Sequence, residues 1–277
     1  MTFLTGFIFS ETDSLSNLTS AAPKEDGNWI IEHVSDHKLI QIPPVQIGGL
    51  TIDFSVTTNI LMMLICAVLL IIVLAYSASS ARKRRYPTGL GNFIELIITF
   101  VRDDIVMPAM GKSGANFLPF FLTMFFFILL VNFIGLIPFM HTATGNVNIT
   151  ASLALITFIT IQVQGIKHHG FFGYFKGLVP PGVPIFVLPI MAVIEFLGVL
   201  TKPFALCIRL FANMTAGHIV ILAFISLIFT LGYVIVPVSI AFSLFIYLLE
   251  ILVSLLQAYI FTMLSALFIG MAIEQEH

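Results

Sequence analysis

Residues 113–166 contain no Asp, Glu, Lys or Arg. As a single helix this run would be about 80 Å long, against a bilayer hydrocarbon core of about 30 Å. It therefore has to fold back on itself inside a membrane. Gly135, Pro138 and the turn-forming cluster at residues 142–148 mark the break. The run divides into two spans, about 116–140 and 147–166.

Only 9% of the 277 residues are charged, against about 25% in a soluble domain. The apolar runs exceed about 18 residues, which favours helices over a barrel. The expected fold class is an all-α polytopic membrane protein. Residues 60–81 form another span, closed by Arg82-Lys83-Arg84-Arg85. A basic cluster beside a span marks the cytoplasmic side. Residues 1–55 are then an extracytoplasmic segment, with a short strand expected at 47–54, and residues 56–277 are the membrane domain. At 87–110, Phe93, Ile97 and Phe100 are mixed with Glu95, Arg102, Asp103 and Asp104. That mixture predicts an amphipathic helix lying on the cytoplasmic surface.

The loop after the third span carries Lys167, His168, His169 and Lys176, again a cytoplasmic signature. Two long runs follow, 190–228 and 238–272. As helices they would measure about 58 and 52 Å, so strong tilt is expected. Pro203 can kink the first without ending it. The sum is five transmembrane helices plus one surface helix, with the N-terminus outside and the C-terminus cytoplasmic.

Several function classes are set aside. A net charge of −2 gives no case for a nucleic-acid partner. Cys66 and Cys207 both lie in apolar runs and read as packing residues. No cleavable leader is expected at residues 2–9, because no basic region precedes them and Glu11 and Asp13 follow. Gly111-Lys112-Ser113 looks like the end of a phosphate loop, but Val106 stands where its first glycine belongs. No nucleotide site is expected on the chain. Cys/His metal spacing is absent too, so no cofactor or metal is expected. The His33 and His37 pair has helical spacing but reads as a solvated surface.

Arg209 is the anomaly. It sits in an apolar run whose next formal charge is Glu250. An arginine at a bilayer-spanning helix centre costs roughly 2.5–3.5 kcal/mol on insertion scales, so it marks a functional site. Asn213 is one turn on and shares its face. His218 is rotated by about 180° and displaced about 14 Å outward. Glu195 lies about 21 Å toward the cytoplasm. On the last run Glu250 and Gln257 share one face, about 10 Å apart. If Gln257 lies level with Arg209, Glu250 falls near the height of His218. Titratable stations outside and inside, with a permanent cation between, suggest two offset half-channels. An arginine cannot relay a proton in practice, so it acts as a barrier that attracts a carboxylate from a partner.

The segment Leu206-x-x-Arg209-Leu210-Phe211-Ala212-Asn213-Met214, with Gly217-His218, closely resembles subunit a of the F-type ATP synthase membrane sector. Gln257-Ala258-Tyr259-Ile260-Phe261 and Asn146-Val147-Asn148-Ile149-Thr150 match as well. The resemblance covers about residues 53–277. It implies a proton-channel stator in a bacterial inner membrane, with no covalent chemistry on this chain. Arg209 would face the carboxylates of a rotating ring of subunit c, flanked by Asn213 and Gln257. His218 and Glu250 would serve the outer half-channel and Glu195 the inner one. The subunit b stalk and the rest of the synthase are further implied partners. Some family members carry an aspartate where this chain has Gly135. The competing readings are a secondary transporter for a small solute, which predicts inverted repeats, and a structural anchor of a respiratory complex.

Overall fold

The computed structural model describes residues 38–40, 45–47, 50–52, 55–84, 89–137, 142–177 and 186–273. The His33 and His37 pair, the start of the N-terminal segment and the last four residues lie outside these. Four short strands come first: β1 (Lys38–Ile40), β2 (Val45–Ile47), β3 (Leu50–Ile52) and β4 (Val56–Thr57). β1 pairs with β4 and β2 with β3, both antiparallel. Of the strand expected at 47–54, Ile47 ends β2 and residues 50–52 form β3, while residues 48, 49, 53 and 54 lie outside the described residues.

From Thr58 the membrane domain is helical. Its helices are α1 (Thr58–Arg84), α2 (Leu90–Phe100), α3 (Met107–Met110), α4 (Gly114–Gly135), α5 (Val147–Gly177), α6 (Leu188–Leu231) and α7 (Val236–Ile273). Five stretches are long and apolar enough to cross a membrane: Thr58–Ser77, Gly91–Gly135, Val147–Tyr174, Val193–Leu231 and Tyr233–Ile273. Helix is the expected outcome in lipid, because it satisfies every backbone group within the segment. α6 and α7 have 44 and 38 residues, or about 66 and 57 Å of helix. Both exceed the hydrocarbon thickness about twofold. Pro203 lies inside α6 without ending it.

Two boundaries differ from expectation. From Leu90 to Met110 the backbone is continuously helical but not a regular α-helix, and residues 87 and 88 lie outside the described residues. A π-helical turn, Val101–Val106, separates α2 from α3. The wider turn sends Val101, Ile105 and Val106 into the core and leaves Arg102, Asp103 and Asp104 exposed. Arg102 Nε and Nη2 donate to the two carboxylate oxygens of Asp103 at 2.7 and 3.0 Å. α5 also continues past 166 through Lys167, His168 and His169, with a kink at Gly170 (φ 71°) that favours glycine. Loss of hydrophobicity marks where the bilayer ends, not where the helix ends. His169 Nε2 donates to the Ile273 carbonyl at 3.0 Å and ties α5 to the end of α7.

The core gathers Val101, Ile105 and Met110 with Phe121 and Ile128 of α4, Leu206 and Leu210 of α6, and Phe261 and Ile269 of α7. Cys66 of α1 packs with Val131, Ala143 and Ile149 in a second cluster. Both cysteines are free and buried. α7 packs against α4, α5 and α6 and so forms the spine of the domain. At its far end Gly270 lets the helix meet the Ala109 carbonyl, and a Cβ on Gly270 would strike that backbone atom. Gly270→Val should therefore destabilise the domain by about 1–3 kcal/mol, the usual overpacking cost. Thermal unfolding of the detergent-extracted protein, wild type against variant, measures this; an unchanged midpoint would contradict the crossing.

Candidate functional site

α6 and α7 are joined by the Gly232 turn (φ 71°) and the short 3-10 helix Tyr233–Ile235. They return antiparallel. Asn213 Nδ2 on α6 donates to Gln257 Oε1 on α7 at 3.2 Å. Toward the Gly232 end, the Glu250 carboxylate rests directly on Gly217, where any Cβ would collide with it. The pairing of 213 with 257 and 217 with 250 fixes the register. Gln257 is thus bonded to Asn213, one turn from Arg209. Glu250 lies against Gly217, the residue before His218.

Arg209 is half-buried one turn inward from Asn213. It makes no hydrogen bond or ion pair among the described residues. Its own helix face presents Ala205, Ala212 and Ala216, all exposed. Small residues around an intramembrane cation allow another helix to come close. The alanines carry no signal of their own in the sequence; they gain meaning only as the exposed surroundings of Arg209.

Glu250 is 7% exposed, and neither carboxylate oxygen has a hydrogen-bond partner among the described residues. Buried polar atoms are normally bonded, and an ionised carboxylate left unpaired in a low dielectric is costly. Ser239, Ser243 and Ser254 lie within about 40° of Glu250 around α7. Their hydroxyls are likewise buried and unpartnered among the described residues. This row of polar atoms runs up to Gln257 and makes a hydrophilic face inside an apolar helix.

His218 does not hydrogen-bond to Glu250. Adjacent helical residues point about 100° apart, so while Gly217 faces α7, His218 faces the hairpin between α4 and α5. Its Nε2 forms a hydrogen bond with Thr142 Oγ1. Thr142 Oγ1 in turn donates to the Gly135 carbonyl at 3.1 Å. The same hairpin buries a second polar pair, with Thr144 Oγ1 donating to Asn132 Oδ1 at 2.9 Å. The expected His218–Glu250 pair is therefore two groups at one level with different surroundings. Glu195, near the start of α6, is half-buried and joins none of these bonds. Sequence reasoning missed Thr142, although Gly135 and the 142–148 turn were both visible in it.

The family model described as ATP synthase A chain matches residues 60–270. The chain is 48% identical to ATP synthase subunit a of Chloroherpeton thalassium, over 86% of this chain and 72% of that relative. It is 46% identical to ATP synthase subunit a of Myxococcus xanthus, over 86% of this chain and 78% of that relative. It is 41% identical to ATP synthase subunit a 2 of Chlorobaculum tepidum, over 96% of this chain and 78% of that relative. Arg209, His218, Glu250 and their hairpin partners all fall within the matched span, and with that extent of agreement the chain belongs to the ATP synthase A chain family.

Proposed function

We propose that the chain is the proton-channel stator of an F-type ATP synthase, in which two offset half-channels serve the carboxylates of a rotating ring of subunit c. The observation that carries this reading is Arg209, a permanent cation in a membrane-spanning helix with no carboxylate partner among the described residues. Such a charge needs an anion, and the alanine-lined surface around it fits a closely approaching helix that brings one. A small-solute transporter and a structural anchor are not favoured by a family match over residues 60–270.

The N-terminal segment is placed outside and the C-terminus in the cytoplasm of a bacterial inner membrane, with residues 87–110 along the cytoplasmic surface. Protons then enter at the Gly232 end. The polar face of α7 leads them past Ser239 and Ser243 to Glu250, with His218 at the same level. Ser254 continues toward Gln257 and Asn213, which flank Arg209. There a ring carboxylate takes the proton and becomes neutral, and only the neutral form can turn into lipid cheaply. Glu195 receives the proton on the cytoplasmic side. Arg209 stays charged and blocks a direct leak between the two paths. Each charge moved across 100 mV is worth about 2.3 kcal/mol, which is the free energy the ring converts to rotation. Subunit b and the other synthase subunits hold this chain still.

Arg209→Ala tests the core of the reading. In membrane vesicles it should abolish ATP-driven proton pumping while the complex still assembles; retained coupled pumping would sink the proposal. Glu250→Gln should slow proton entry from the outer side about tenfold or more, in line with the loss of one acid–base group. Passive proton flux through membranes stripped of the catalytic sector measures it, and unaltered flux removes Glu250 from the path.

A further inference from the structure

The hydrogen bonds around His218 specify more than its position. A threonine hydroxyl has one proton, and that of Thr142 is donated to the Gly135 carbonyl. Toward His218 the same oxygen can then only accept. The ring nitrogen facing it is Nε2, so Nε2 must carry the hydrogen.

Gly135 is what makes the arrangement possible. A Cβ at residue 135 would lie 2.8 Å from Thr142 Cγ2 and 2.9 Å from Thr142 Oγ1. Thr142 thus fills the space that a side chain at 135 would need. The threonine hydroxyl reaches His218 from across the hairpin.

We infer that Thr142 is a positioning residue that holds neutral His218 as its Nε2–H tautomer and reserves Nδ1 as the proton-accepting atom. The inference rests on the channel reading for its functional meaning. A proton added to Nδ1 gives an imidazolium whose Nε2–H bond to Thr142 is unchanged. Among the described residues Nε2 faces the Thr142 hydroxyl, whose own proton is held by the Gly135 carbonyl, so the added proton leaves from Nδ1 as well. His218 would be a side station that takes and returns a proton at one atom, and not a wire through which it passes. Among the described residues, the Glu250 carboxylate of α7 is seated on Gly217, the residue before His218. Arg209 on the same helix is about 14 Å away, and the hairpin partners Asn132, Thr142 and Thr144 are neutral.

The test uses the assembled synthase in membranes, with 15N-labelled histidine rings and a His218→Gln sample to assign the signal by difference. Wild-type neutral His218 should show a protonated Nε2 and a bare Nδ1. Thr142→Val, which keeps the shape and removes the hydroxyl, should give a mixture of tautomers and lower ATP-driven proton pumping about two- to tenfold, the range that one ordinary hydrogen bond supports. Thr142→Ser should restore both readouts. A protonated Nδ1 in the wild type, an unchanged tautomer in Thr142→Val, or equal losses in the Ser and Val variants would each overturn the inference. The wild-type ring signal decides the tautomer even if a variant fails to assemble. Full pumping in His218→Gln would instead count against the channel reading, while the ring signal still decides the role of Thr142.

Discussion

The close approach of α6 and α7 at Gly217 sets the level of the polar groups on both helices. Because residue 217 has no side chain, the Glu250 carboxylate reaches the α6 backbone. One bond further in, Asn213 meets Gln257. With these two points fixed, Arg209 lies one turn beyond Gln257 and outside any ion pair among the described residues. His218, one residue on from Gly217, is turned away to the α4–α5 hairpin. The missing Cβ at 217 thus brings Glu250 onto α6, while the helical step of about 100° turns His218 away from it. Interhelical hydrogen bonds in membranes are worth only about 0.6 kcal/mol on average, so this register owes more to packing than to the Asn213–Gln257 bond.

The spans were legible because charge is so expensive in lipid. Residues 113–166 had to fold back, and the observed helices α4 and α5 do so. The lengths of α6 and α7 also followed from uninterrupted hydrophobicity. Backbone detail was not legible in the same way. The π-helical turn at Val101–Val106 shifts the facing of a mixed sequence, and no period of 3.6 anticipates it. The continuation of α5 through His169, and the further helical segment beyond the break at Gly170, were hidden because Lys167 and the two histidines are helix-compatible but hydrophilic.

The candidate site was readable along each helix and unreadable between elements. Helical spacing put Arg209 with Asn213 and Glu250 with Gln257, since those relations are local. The bond from His218 to Thr142 joins residues 76 apart in sequence, and nothing in either local pattern announces it. The serines of α7 were overlooked because single hydroxyls are common in membrane helices; their alignment with Glu250, unpartnered, is a property of the packed structure.

The alanines around Arg209 have a mechanical consequence. For a partner that moves across this face, each protruding side chain would be a bump that has to be climbed or compressed at every step. Ala205, Ala212 and Ala216 are exposed and short, so these positions keep the face low beside the arginine. Friction and electrostatics are then separate properties of one helix face. On the proposed reading, the cation would hold a partner's carboxylate there, and the methyl groups around it would ease the passage of the rest.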